Sequence, residues 1–278
     1  TPLVGGTTLA SYTGSATGPE RMDDVVYTLP AGTIPFPFVF NNITYDAVNV
    51  SSNGYLTFGT TLPANNNFAP LSTATAYEGA ISAFGRDLEG GFLIRGDRTS
   101  GSTDILNVTT LGPIQVGDFI DGNGIPAGTT ITAISGTTIT LSAAATTTGV
   151  NTALRVGGAS WSNIQYGVIG DSPNRVFVVQ YTNFKRFGLV IADAHNMNLN
   201  FQIRLYETTN YVEVVYGDCT PGLTTLATTN QVGLRGATNN FAANINNRTI
   251  AVYRSQQGIP DTNIKNHHNA NNFDKVLP

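Results

Sequence analysis

Charge is what this chain has least of. Asp, Glu, Lys and Arg make up 12% of its 278 residues, about half the share usual in soluble domains. With a formal net charge of −4 and an isoelectric point near 5.2, it offers no basic face, so nucleic acid is not an expected partner. Cys219 is the one cysteine, which excludes an intrachain disulfide. No apolar run approaches the roughly 18 residues a membrane helix needs, so membrane insertion is not expected. The histidines are His195, His267 and His268, without a second ligand at metal spacing. The Gly-x-Ser-x-Gly elbow of serine hydrolases is missing. No amphipathic helical pattern runs beyond two turns.

What the chain does carry is 41% apolar residues set among abundant Thr, Asn, Ser and Gly, so it has the means to build a core. Thr favours strands, and Asn and Gly favour turns, which together point to an all-β protein. The stretch from Phe36 to Gly59 packs aromatic and β-branched residues around the turn signal Ser52-Asn53-Gly54. A two-residue Asn53-Gly54 turn would mix polar and apolar residues on each face. A three-residue turn with Gly54 left-handed instead pairs Val50 with Leu56 and Val48 with Phe58, giving one apolar face. Val48, Val50, Asn53, Gly54, Leu56 and Phe58 are therefore read as scaffold. Arg175 to Tyr181 is a nearly continuous apolar run suited to a central strand. Leu199, Phe201, Ile203 and Leu205 alternate with polar residues, as a half-buried strand does.

Composition shifts near residue 102, where charge almost vanishes and short Ile-rich strands surround Ser135-Gly136. The predicted organisation is an antiparallel β-sandwich over 25–102 and 159–254, interrupted by a small β-rich insertion lobe over 103–158. Residues 1–24 read as an extended N-terminal arm or edge strand, and 255–278 as a polar C-terminal tail.

The segments Phe36-Pro-Phe-Val-Phe40, Val50-Ser-Ser-Asn-Gly-Tyr-Leu-Thr-Phe-Gly59 and Ser172-Pro-Asn-Arg-Val-Phe-Val-Val-Gln-Tyr181 carry the first half of a resemblance. Phe201-Gln-Ile-Arg-Leu-Tyr-Glu207, Tyr211-Val-Glu-Val-Val-Tyr-Gly217 and Gln231-Val-Gly-Leu-Arg-Gly-Ala237 carry the second. In this order they resemble the β-rich extracellular domain of secreted Bacteroidota proteins, often type IX secretion cargo, and more loosely the nidogen-type domain. Residues 113–142 separately resemble a short β-module of bacterial surface and phage structural proteins. The resemblance implies a fold and an extracellular or cell-surface setting after removal of an export signal, with which a start at Thr1 agrees. It implies no catalytic residues.

Candidate chemistry is sparse. Asp118, Asp121 and Asn123 are oxygen donors for Ca²⁺, but their spacing lacks the regular order of a calcium loop and suits turns equally well. No other cofactor or metal ligand is read from the sequence. Asp87, Glu89, Glu207 and Glu213 lie on strands or their ends, where paired carboxylates of a glycosidase would lie. Glu213 alternates with core residues and is expected to face solvent. Trp161, Tyr206 and Tyr211 are candidate sugar-stacking aromatics, though strand tyrosines commonly serve cross-strand packing. The sequons at Asn42, Asn49, Asn107 and Asn247 are of a kind that chance produces in so Asn-rich a chain. The reading that follows is a non-enzymatic extracellular structural protein, self-assembling through terminal arms or edge strands into a filament, sheath or layer. The alternative is a polysaccharide-binding adhesin module.

Overall fold

A computed structural model describes residues 1–13, 21–109, 114–158, 162–187, 197–221, 228–237, 247–252 and 266–269. Among them the chain is all-β, without an α-helix, and every strand pairing is antiparallel. Among the described residues no helix is long and apolar enough to cross a membrane.

Two sheets face each other. The larger runs in the order Thr7–Ser11, Asn163–Ile169, Val176–Arg186, Met197–Tyr206, Tyr211–Tyr216 and Asn266–Asn269, with short strands Leu88–Glu89 and Thr220–Pro221 pairing to its middle members. The second runs Val26–Leu29, Val48–Ser51, Tyr55–Phe58, Gly79–Ser82, Thr228–Arg235 and Asn247–Val252. Their facing side chains make one core, with Val50, Leu56, Phe58 and Ile81 from the second sheet and Phe177, Val179, Tyr181, Ile203 and Leu205 from the larger. Each such side chain contributes about 1.5–3 kcal/mol by leaving water. The sheets are also tied by a polar contact. Tyr181 stacks on Phe201 at 4.5 Å and donates its hydroxyl to the Ser51 carbonyl at 2.8 Å.

The hairpin register is the one that alternation demands. Asn49 faces Thr57, Val50 faces Leu56 and Ser51 faces Tyr55, and Gly54 sits at φ +81°. Two features differ from the sequence reading. The Phe36–Gly59 stretch holds two hairpins, because Phe38–Phe40 pairs with Ile43–Tyr45 ahead of the main one. The main hairpin is also closed on both faces, with Asn49, Ser51, Asn53, Tyr55 and Thr57 all buried. The loop after Phe58 folds back over it, and Tyr55 donates its hydroxyl to the Asn67 carbonyl at 2.9 Å. Burial also seals the Asn49 sequon, whose side chain is hydrogen-bonded to Thr28 and to the Gly59 carbonyl.

The lobe is a third sheet, ordered Phe119–Asp121, Gly149–Gly157, Phe92–Arg98, Asp104–Thr109, Thr138–Leu141 and Ile131–Ser135. It has its own core of Ile94, Ile105, Ile120, Ile139, Leu154 and Val156. Its first strand begins at Phe92, ahead of the compositional shift, because Arg95, Asp97 and Arg98 give that strand the charge profile of the preceding segment. The N-terminal segment is an edge strand, with Thr7–Ser11 on Asn163–Ile169. Leu3 packs on Val176, Val178 and Tyr206. This covering corrects the expectation for Glu213, which is buried and accepts from Arg204 at 3.2 Å and from the Tyr206 hydroxyl at 2.6 Å.

Candidate functional site

The densest polar chemistry among the described residues gathers around the buried turn of the main hairpin. Asn53 has no solvent exposure. Its side-chain amide donates to Asp24 Oδ1 at 3.1 Å and to the carbonyls of Asn65 and Asn67 at 3.3 Å each. Its Oδ1 accepts from the Leu88 amide at 2.9 Å, and its carbonyl accepts from the Arg86 amide at 3.2 Å. One turn residue thus ties together the strap 21–25, the 60–78 loop and the strand Leu88–Glu89. The strap is pinned at both ends. Ser52 and Val25 exchange hydrogen bonds, and the Arg21 carbonyl accepts from the Gly90 amide at 2.8 Å.

These ties bring Asp23, Asp24 and Asp87 together, each placing one carboxylate oxygen within 4.8 Å of the others. Asp23 is 8% exposed. Its Oδ1 and that of Asp87 are shut off from solvent without a hydrogen-bond partner. Burial, reinforced by Glu89, Asp24 and Asp87, pushes the Asp23 carboxyl up to about 7. Burial raises Asp87 too, with Asp24 adding to it and Arg86 and Arg186 opposing.

Beside this cluster an ionic seam joins the sandwich to the lobe. Glu89 accepts from Arg21 at 2.9 Å and from Arg155 of the lobe at 2.8 Å. Lys185 is buried and donates to the Gly90 and Gly91 carbonyls. Tyr12, fully buried, donates to Asp121 Oδ2 of the lobe at 2.9 Å. Desolvation lowers Lys185 to about 8 against the pull of Glu89, and raises Glu89 against Lys185 and Arg21. These charges are taken up by one another and by the backbone, the arrangement expected of a structural joint.

The sequence-predicted residues are dispersed. Val48, Val50, Leu56 and Phe58 lie in the sandwich core, while Asn53 and Gly54 hold the turn under the acidic cluster. Asp118 and Asp121 are committed elsewhere: Asp118 accepts from the Gln115 amide at 2.8 Å, and Asp121 holds Tyr12. Neither aspartate belongs to a cluster of three Asp, Glu, His or Cys side chains among the described residues, and Asn123 adds no hydrogen bond to them. Tyr206 is half-buried on Leu3 with its hydroxyl on Glu213, whereas Tyr211 is exposed. Trp161 and His195 lie outside the described residues. Of the four carboxylates considered for glycoside chemistry, Glu89 and Glu213 are buried in ion pairs. Glu207 is held by both ends of the Arg175 guanidinium. Only Asp87 reaches the acidic cluster. Sequence reasoning did not single out Asp23 and Asp24, whose signal is a carboxylate pair directly ahead of a strand.

A family model described as NIDO related matches residues 1–105 and 124–273, most of the chain, and the protein belongs to this family. The match continues through much of the lobe and is interrupted only over 106–123. No curated protein and no solved structure matches the chain.

Proposed function

We propose that this NIDO-related domain is a non-enzymatic extracellular structural protein that associates with copies of itself by strand addition. NIDO-related domains are typically extracellular, and the low charge of the chain suits packing against like surfaces.

One observation carries the reading. The strand Ile131–Ser135 ends the lobe sheet. At Ile131 its outer side is closed by backbone hydrogen bonds with Gly117 and Asp118. From Thr132 to Ser135 the side chains are exposed, and no other described strand pairs with the outer side. No charged residue occurs between Asp121 and Arg155. Sheet edges are ordinarily guarded by Lys, Pro or inward-facing charge, because unpaired backbone groups recruit another strand. Residues 132–135 carry no Lys, Pro or charge, although a register shift between Ile131 and Ala133 and the Phe119–Thr130 bridge limit the open edge to these four residues; terminal segments occupy both edges of the large sheet. Strand addition through the lobe fits these facts better than exchange of terminal arms.

The test is the association state of the full chain against concentration, by light scattering and electron microscopy, for wild type and Ile134→Lys. Ile134 is 38% exposed, so the lysine is accommodated without disturbing the core. Wild type is expected to form oligomers or filaments that Ile134→Lys abolishes. A wild-type chain that stays monomeric up to its solubility limit overturns the reading.

A further inference from the structure

We infer that Asp23, Asp24 and Asp87 form a binding site for a divalent cation, Ca²⁺ by its donor chemistry, at the joint between the N-terminal strap and the strand Leu88–Glu89.

The argument begins with what the fold leaves uncompensated. Native structures partner their buried polar atoms, and a buried carboxylate oxygen without a donor is costly. Here two such oxygens, Asp23 Oδ1 and Asp87 Oδ1, belong to residues of one carboxylate cluster. Elsewhere in the molecule the buried acids have donors: Glu89 has two arginines, Asp121 has Tyr12, and Glu213 has Arg204 and Tyr206. Arg21, Arg86 and Arg186 lie near enough to moderate the cluster's charge, yet the two oxygens still lack a donor. A cation bound among the three carboxylates supplies what both lack.

Geometry and donor type agree with this. Ca²⁺ takes oxygen ligands at about 2.3–2.6 Å, so oxygens on opposite sides of one ion stand about 4.6–5.2 Å apart. The three carboxylate oxygens lie within 4.8 Å of one another, inside that span. No nitrogen or sulfur ligand belongs to the group, which disfavours zinc and copper. Asn53 fixes Asp24 from beneath through its amide, orienting a carboxylate as outer-shell partners of metal ligands do. The ion would lock the strap to the strand that leads into the lobe, so its effect is on stability and on the sandwich–lobe joint. The proposal does not depend on self-association.

The experiment uses the full chain stripped with EDTA. Thermal unfolding is followed while CaCl₂ is added to about 10 mM, above the range in which extracellular calcium modules fill, and calorimetry gives the stoichiometry. One Ca²⁺ per chain and a rise in Tm of about 5–10 °C at a hundredfold excess over Kd are expected. Asp23→Asn and Asp87→Asn should lose the Ca²⁺-dependent rise. They are expected to fold, because Asp23→Asn removes a buried charge and Asp87 is only partly buried, and Asp23→Asn should raise the Tm of the metal-free protein. Tb³⁺ luminescence sensitised by neighbouring tyrosines gives a second readout that does not depend on stability. An unchanged Tm together with no bound Ca²⁺ overturns the proposal, and so does a Ca²⁺ response that survives both substitutions.

Discussion

Asn53 and Asp24 meet inside the protein: the asparagine amide donates to the aspartate Oδ1 over 3.1 Å, from a hairpin turn with no solvent exposure. Turns normally lie at the surface because their backbone groups need water. This one is buried because Asp24, Leu88 and the 60–78 loop supply the partners that water would. The turn consequently becomes a hub, and the carboxylates collected around it come from segments far apart in the chain.

Replacing Asn53 with alanine removes all four side-chain hydrogen bonds and leaves the buried Leu88 amide without its acceptor. An unpartnered buried group costs about 1–3 kcal/mol and each lost bond about 0.5–1.5 kcal/mol more. Asn53→Ala is expected to lower stability by about 2–5 kcal/mol, measured as a shift in the urea midpoint at constant m-value. A change within about 0.5 kcal/mol, the range of an ordinary surface substitution, would mean that the hub does not hold the fold.

Glu89 is the common anion of the seam, facing Arg21 and Arg155. Removing one partner of a buried ionic group strands the others and costs about 3–5 kcal/mol. Glu89→Gln is expected to fall in that range. Adding Arg155→Met should recover part of the loss in a double-mutant cycle, since a stranded cation is removed with it. Strict additivity of the two effects would count against a shared network.

The pH dependence has a definite sign. Asp23 titrates near 3.8 in the unfolded chain and at about 7 in the fold. Between these values the folded state keeps a proton that the unfolded state has released, so stability falls as pH rises and the loss is complete above about 7. Asp87 and Asp121 are also raised by burial and act in the same direction. Glu207, held down to about 2 from 4.5 by Arg175, acts in the opposite sense, but at lower pH. In metal-free buffer the urea midpoint should therefore decline from about pH 4.5 to about pH 7, with a shallower decline in Asp23→Asn. A midpoint that stays flat over this interval would show the carboxylates to be solvated, and one that rises would show them to be held ionised.

How far the architecture could be read ahead depended on the range of the interactions involved. The register of the main hairpin followed from Val48, Val50, Leu56 and Phe58, because a one-residue slip would turn that whole set away from the core. Val176 to Tyr181 disclosed a central strand because both its faces are apolar. Glu213 was misjudged because alternation reports which face a side chain takes, not what later covers that face. Here residues near the N-terminus lie over the outer face of the large sheet, where Leu3 and Thr1 meet Tyr206, Gln202 and Arg204. The start of the lobe was misplaced for a related reason: Phe92–Arg98 carries the charge of one segment and pairs with the strands of another.

The sequence by itself determined an all-β chain, the hairpin register and the alternation of its long strands, since these depend on side-chain periodicity and turn chemistry within a few residues. Only the tertiary structure decided that the Asn53 turn is buried, that Asp23 and Asp24 meet Asp87, and that Glu89 joins sandwich to lobe. Those contacts link residues from a dozen to more than sixty positions apart, and local pattern cannot reveal them. They form because closing the sandwich and docking the lobe, which has its own core, bring these polar groups together away from water.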